Sequence, residues 1–174
     1  MIENSYPELP VLPFKKTAVT LDEVEVYLQS LTIPKPIKIA AYVMFRNESA
    51  NGTAGVNNNY LGIQADNGRW PDSLKSHIVG TVVQNENMTG RARRFLAFDS
   101  FKGSIDFLIN RIQNRGLFVG GTTSFITRMQ INSPDAWAIA YWRCWVTGNA
   151  NAQIPDSDRN GLLSMYKKGS TLFN

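Results

Sequence analysis

The chain has 174 residues, 43% of them hydrophobic and 18% charged. That is long enough to bury one core without metal or disulfide help and too apolar for a disordered tail. The net charge of +4 is modest, and the single cysteine, Cys144, excludes an intrachain disulfide.

The densest basic run, Arg91-Ala92-Arg93-Arg94, lies beside a predicted strand and carries no nucleic-acid-binding motif. The charge therefore implies a weak preference for an anionic polymer and no nucleic-acid partner. His77 is the single histidine. A Cys/His nucleophilic pair would have to use His77 and Cys144 without a supporting motif, and the scarcity of ligands argues against zinc. No metal or cofactor is expected; Cys144 reads as core and His77 as a solvent or strand-edge residue.

Met1 to Lys16 contains Pro7, Pro10 and Pro13, with acids before bases and no apolar core, so it reads as an extended segment, 1–19, and not as a secretory signal. No stretch reaches the roughly 20 apolar residues of a membrane-spanning helix. Thr20 and Glu23 have the spacing of a capping box. Leu21, Val24, Tyr27, Leu28 and Leu31 follow at helical intervals, predicting a helix from about Leu21 to Leu31. Pro34 and Pro36 separate it from the next helix, whose first turn can hold Pro36 because its missing N–H would have had no partner there.

Ile37, Ala40, Ala41, Met44 and Phe45 mark one buried stripe on that second helix, which carries Glu48 out of its last turn. Gly52, Gly55 and Asn57-Asn58-Asn59 tolerate tight or left-handed backbone, so the chain turns sharply past the carboxylate. A glutamate between an apolar helix and a polar loop sits at a cleft edge. Apolar neighbours there disfavour its charged form, raise its pKa and suit it to general acid work.

Ile78 to Val83 is rich in β-branched residues, Asn85 to Gly90 has turn chemistry, and Arg94 to Phe98 returns as a second apolar strand, predicting a β-hairpin. Ser100 suits a helix N-cap, with Ile105, Leu108, Ile109 and Ile112 as the buried stripe. Gly120 and Gly121 precede a short helix from about Thr123 to Gln130. Ser133-Pro134-Asp135 then opens a helix bearing Trp137, Tyr141, Trp142 and Trp145, of which Trp137 is assigned to core. A last helix runs from Arg159 to Lys168, stopped by Gly169. With no repeat or linker, residues 1–174 read as a single domain.

Glu48-Ser49, followed by Asn58-Asn59-Tyr60-Leu61-Gly62-Ile63-Gln64, resembles the bacterial family-73 glycoside hydrolases, autolysin-like N-acetylglucosaminidases that cut peptidoglycan and carry Glu-Ser and then Asn-Asn-Leu-Phe-Gly-Ile-Lys. The family's Gly-Trp-Gly after Glu-Ser is here Ala50-Asn51-Gly52. Glu86-Asn87-Met88-Thr89-Gly90 is similar to the family's hairpin turn, which bears a second carboxylate. Phe95 to Phe101 and Ser104-Ile105-Asp106-Phe107 resemble its next two blocks. Cys144-Trp145-Val146-Thr147 stands where the family writes Gly-Tyr-Ala-Thr, so a cleft tyrosine falls on Trp145.

The resemblance covers about Ile37 to Thr147. It implies an α+β, lysozyme-like fold, mainly helical with a small β-hairpin lobe flanking the cleft. It implies Glu48 as acid and Glu86 as assisting carboxylate, with Asn58, Asn59, Tyr60, Gln64, Tyr141 and Trp145 binding substrate. Asp99 and Asp106 read as structural, and Asp66 is a third acid with no assigned role. The partner is the peptidoglycan glycan strand.

Two carboxylates flanking a glycosidic bond are the usual equipment for its hydrolysis, and a mobile hairpin would let their gap change when substrate binds. Two alternatives stay open. One is a muramidase or lytic transglycosylase in which one glutamate is both acid and base, and the other is a non-catalytic peptidoglycan-binding module. A chain made in the cytoplasm without a signal peptide and acting in the periplasm of a target bacterium is similar in style to the glycoside hydrolase effectors of type VI secretion. Such toxins are neutralised by a periplasmic immunity protein, expected here to occlude the cleft at Glu48; a phage lysin is the competing context.

Overall fold

A computed structural model of the chain describes residues 9–65, 70–87, 89–115, 117–118, 125–126 and 133–174. Helices and small antiparallel strand pairs alternate, so the fold is α+β. The chain forms two compact units, Met1–Leu21 with Phe45–Phe107 and Asp22–Met44 with Leu108–Asn174.

In the first unit, β1 (Lys16–Thr17) pairs antiparallel with β2 (Gly55–Val56). The sharp turn before β2 follows the helix α2 (Lys35–Glu48). Ala50, Asn51 and Gly52 all take positive φ, at 48°, 57° and 87°. Only the glycine could also fit its place, because a Cβ at position 52 would lie 2.2 Å from the Val19 carbonyl oxygen. The expected left-handed backbone recurs at Asn57 and Asn58, whose short amide side chains tolerate it.

The predicted hairpin is β3 (Ile78–Asn85) and β4 (Ala92–Phe98), paired antiparallel with a register shift between Ile78 and Gly80. Both edges are covered. On one side Leu12 N–H donates to Thr81 O at 2.7 Å and Thr81 N–H to Pro10 O at 2.8 Å. On the other, Ala65 N–H donates to Arg94 O and Leu96 N–H to Ile63 O, each at 2.9 Å. These contacts satisfy backbone groups that an open edge would leave exposed. They also bring Ile63, Ala65, Leu96 and Phe98 into one buried cluster.

A 3₁₀ turn, Asp72–His77, leads into β3. His77 stands immediately before β3, part-exposed, and its Nδ1 lies 3.3 Å from Asp99 and its Nε2 3.2 Å from Asp106. Asp106 belongs to α3 (Phe101–Arg115). The lone histidine thus joins the end of the turn to the residue after β4 and to a helix.

In the second unit, α1 (Leu21–Ser30) buries Val24 and Leu28. The Lys38 ammonium donates to Gln29 O at 3.2 Å, placing a cation on the carbonyls that end α1. Tyr42 donates to Glu25 at 2.6 Å and meets the Phe173 ring edge-on at 5.6 Å. The last helix, α5 (Asp156–Leu172), runs past Gly169 and does not stop there. A Cβ on Gly169 would come within 3.1 Å of Ile39 Cγ2, so this glycine permits close packing inside the helix.

Ser133 caps α4 (Pro134–Tyr141) as the sequence predicts, its Oγ accepting from Ala136 N–H at 3.1 Å. Trp137 stacks on Tyr141 with centroids 5.4 Å apart and planes 8° apart, and both rings are fully buried. The helix expected over 123–130 falls mostly outside the described residues. Within that range β6 (Phe125–Ile126) pairs with β5 (Leu117–Phe118).

Candidate active site

Glu48 is the last residue of α2 and is half-buried. The next residue, Ser49, is fully buried; its Oγ donates to Phe45 O at 2.5 Å and accepts from Gly52 N–H at 2.8 Å. The Glu-Ser pair is therefore a division of labour, with the serine closing the helix end and turn that present the glutamate. One turn earlier on α2, the Phe45 ring packs on Tyr60 at 5.3 Å.

Tyr60 begins the loop that carries Gln64. Its N–H donates to Ser104 Oγ, which in turn donates to Asn58 O, both at 3.0 Å. The Asn58 amide donates to Phe98 O at 3.0 Å and Asp99 O at 3.1 Å. The Asn59 amide donates to Ile63 O and Leu96 O, each at 2.9 Å, while its oxygen accepts from Leu61 N–H at 3.3 Å and Ile63 N–H at 3.1 Å. All the hydrogen-bonding capacity commonly used by a primary amide is spent. Asn59, 5% exposed, shapes the loop and has no donor left for a sugar.

The loop delivers Gln64 to the hairpin turn. Gln64 Nε2 donates to Glu86 Oε1 at 3.0 Å, and Thr89 Oγ1 donates to Glu86 Oε2 at 2.6 Å. Arg93 Nε faces the same Oε2 at 3.2 Å, and Arg93 Nη1 donates to Gln64 Oε1 at 3.3 Å. Hydrogen bonds from Thr89 and Gln64 outweigh desolvation and, with a lesser contribution from the Arg93 charge, hold the Glu86 carboxyl below the ordinary glutamate value of 4.5. Glu86 is consequently an anion near neutral pH, fit to act as a base or to stabilise positive charge and unfit to donate a proton.

Of the residues expected to bind substrate, Gln64 touches Glu86. Tyr60 is 2% exposed and Tyr141 is fully buried, so both rings belong to cores and not to an open wall. Asn58 also serves the frame, through the two carbonyls it holds. Trp145 lies in the second unit, on a π-helical turn (Trp142–Val146), with the Arg111 guanidinium 5.2 Å from its ring centroid. Asp66 lies outside the described residues.

No protein-family model, curated protein or solved structure matches the chain. Among the described residues no group of three or more His, Cys, Asp or Glu side chains is arranged to hold a metal, and no helix is long and apolar enough to cross a membrane.

Arg93 and Thr89 were missed by the sequence reading, although signals for both were present. Thr89 follows Glu86 by three residues inside a turn, where a hydroxyl reaches back readily. In the basic run, β4 opens at Ala92, so strand alternation places Arg93 and Arg94 on opposite faces. Arg93, part of that run, supplies the counter-charge of Glu86.

Proposed function

We propose that the chain is a lysozyme-like peptidoglycan hydrolase that cleaves the N-acetylglucosaminyl bond of the glycan strand, with Glu48 as general acid and Glu86 as assisting carboxylate. The observation that carries this reading is the environment of Glu86, where each carboxylate oxygen accepts from a neutral donor and the Arg93 guanidinium faces one of them. Glycoside hydrolysis asks for two carboxyl groups in different protonation states. An anion held at the hairpin turn leaves the proton-donating role to Glu48, which sits in the same unit at the end of α2. In this scheme Glu48 protonates the leaving oxygen while Glu86 activates water or supports the oxocarbenium-like centre. The quoted likeness of Glu48-Ser49, residues 58–64 and residues 86–90 to the family-73 hydrolases supports the choice of bond.

Mass spectrometry of fragments from purified peptidoglycan, after borohydride reduction, tests it. Reduced N-acetylglucosamine ends are expected. Reduced or 1,6-anhydro N-acetylmuramic acid ends would assign the muramidase or transglycosylase chemistry, and binding without release would leave a glycan-binding module. An antibacterial toxin acting in a target periplasm, countered by an immunity protein, belongs to the same proposal. Lysis of a host that makes the chain with an added signal peptide, relieved by Glu48→Gln, is the corresponding test.

A further inference from the structure

Glu86, Gln64 and Arg93 close a three-membered ring of contacts whose polarity runs in one direction only. Arg93 is donor-only, so it must face the oxygen of the Gln64 amide, as Nη1 does at 3.3 Å. That leaves the amide nitrogen for Glu86 Oε1 at 3.0 Å. A flipped Gln64 would set its NH₂ against the guanidinium and its oxygen against the carboxylate, losing both bonds at once. Arg93 Nε, 3.2 Å from Oε2, completes the ring as a charge contact without the alignment of a hydrogen bond.

The ring is anchored in the sheet as well as at the turn. Arg93 stands opposite Gln84 in the β3–β4 register, and Gln64 bridges to Phe95 on the outer edge of β4. Glu86 itself is tied by its N–H to Arg91 O at 2.9 Å and by its carbonyl to Gly90 N–H at 2.8 Å.

We propose that Arg93 is a positioning residue for Glu86: by holding the Gln64 amide oxygen and facing the carboxylate, it sets the orientation in which Glu86 stands ionised before substrate arrives. This rests on the hydrolase reading for its consequence in turnover, though not for the geometry. Preorganised charge of this kind needs no rearrangement during reaction.

Two measurements separate the inference from the reading beneath it. Carboxyl ¹³C NMR of the full chain, with Glu86 assigned through Glu86→Gln, follows the titration of Glu86 directly. Arg93→Gln is expected to move that midpoint to higher pH, and Arg93→Lys, which keeps the charge but lacks the fork that holds Gln64, to move it in the same direction by less. On peptidoglycan, Arg93→Lys is nevertheless expected to lose kcat, on the order of 100-fold with little change in KM, because a lysine lacks the fork that holds Gln64. Should Arg93→Gln fail to fold, Gln64→Leu removes the shared amide and must raise the midpoint in its place. An unmoved midpoint in the folded variant, or full kcat in Arg93→Lys, would overturn the inference. A parent chain that releases no fragments would instead defeat the hydrolase reading, and the NMR midpoints would then decide the role of Arg93 by themselves.

Discussion

The Phe45 ring packs on Tyr60 at 5.3 Å, inclined by 49°, and thereby docks the last turn of α2 onto the loop that carries Gln64. Glu48 lies three residues beyond Phe45 and Gln64 four beyond Tyr60. One aromatic contact therefore sits between the helix end that presents one carboxyl group and the amide that holds the other. Both rings are almost wholly buried. Truncating Phe45 to Ala is expected to cost about 3–5 kcal/mol, the range for removing a buried aromatic ring. Urea unfolding of Phe45→Ala and Phe45→Leu measures it, and a loss below 1 kcal/mol in the alanine variant would show that the contact is not structural.

Glu48→Gln keeps the size of the side chain and removes its proton chemistry. Turnover of purified peptidoglycan is expected to fall by about 10²–10⁴-fold, the usual contribution of a general acid. Binding to intact sacculi should persist in the same variant, as read by co-sedimentation. Unchanged release of reducing ends would remove Glu48 from the mechanism.

Glu86 makes acid stability directional. Its carboxyl is held below the ordinary value of 4.5 in the folded chain by Thr89 first, then by Gln64 and the Arg93 charge. A depressed folded value means that the stabilisation is fully present above the unfolded value and drains away as pH falls through the folded one. The parent is therefore expected to lose its thermal advantage over Glu86→Gln as acid is added below that value. Melting curves of both chains from neutral into acid test this, and a difference independent of pH would contradict it.

Asn59 carries four hydrogen bonds that link residues 59–63 to one another and to β4. Asn59→Ala strands buried backbone groups, each costing about 1–3 kcal/mol when unsatisfied. The predicted outcome is a marked fall in denaturation midpoint together with lost activity, since Gln64 leaves its place. An Asn59→Ala chain of parental stability would return this residue to the substrate-binding role.

Period and cap chemistry made much of the fold legible. The first helix, expected from about Leu21 to Leu31, ends at Ser30, and the stripe of Ile37, Ala40, Ala41, Met44 and Phe45 is fully buried on a helix whose last residue is Glu48. The hairpin and the Ser133 cap follow their sequence signals for the same reason: turn residues and capping hydroxyls act over three or four positions. Gly169 misled because propensity is a local quantity, while its neighbours Ile39 and Tyr42 lie more than a hundred residues away in the chain. Each of the two compact units is assembled from two separated stretches, with boundaries inside helices α1, α2 and α3 and no linker to mark them.

The candidate site divides along the same line. Residues such as Glu48, Ser49 and the left-handed Asn57 and Asn58 are determined by their own neighbours, through helix termination and backbone sterics, and the sequence alone determined where they stand. Which side chains meet Glu86 was decided only by tertiary structure. Gln64 is 22 residues from Glu86 and 29 from Arg93, and the three converge because residues 63–65 add to the outer edge of β4 in one register. A shift of that register by one residue would turn Gln64 to the opposite face. Edge pairing is chosen by backbone hydrogen bonds and the buried cluster of Ile63, Ala65, Leu96 and Phe98, acting together. That choice depends on the whole packed unit, which no window of sequence contains.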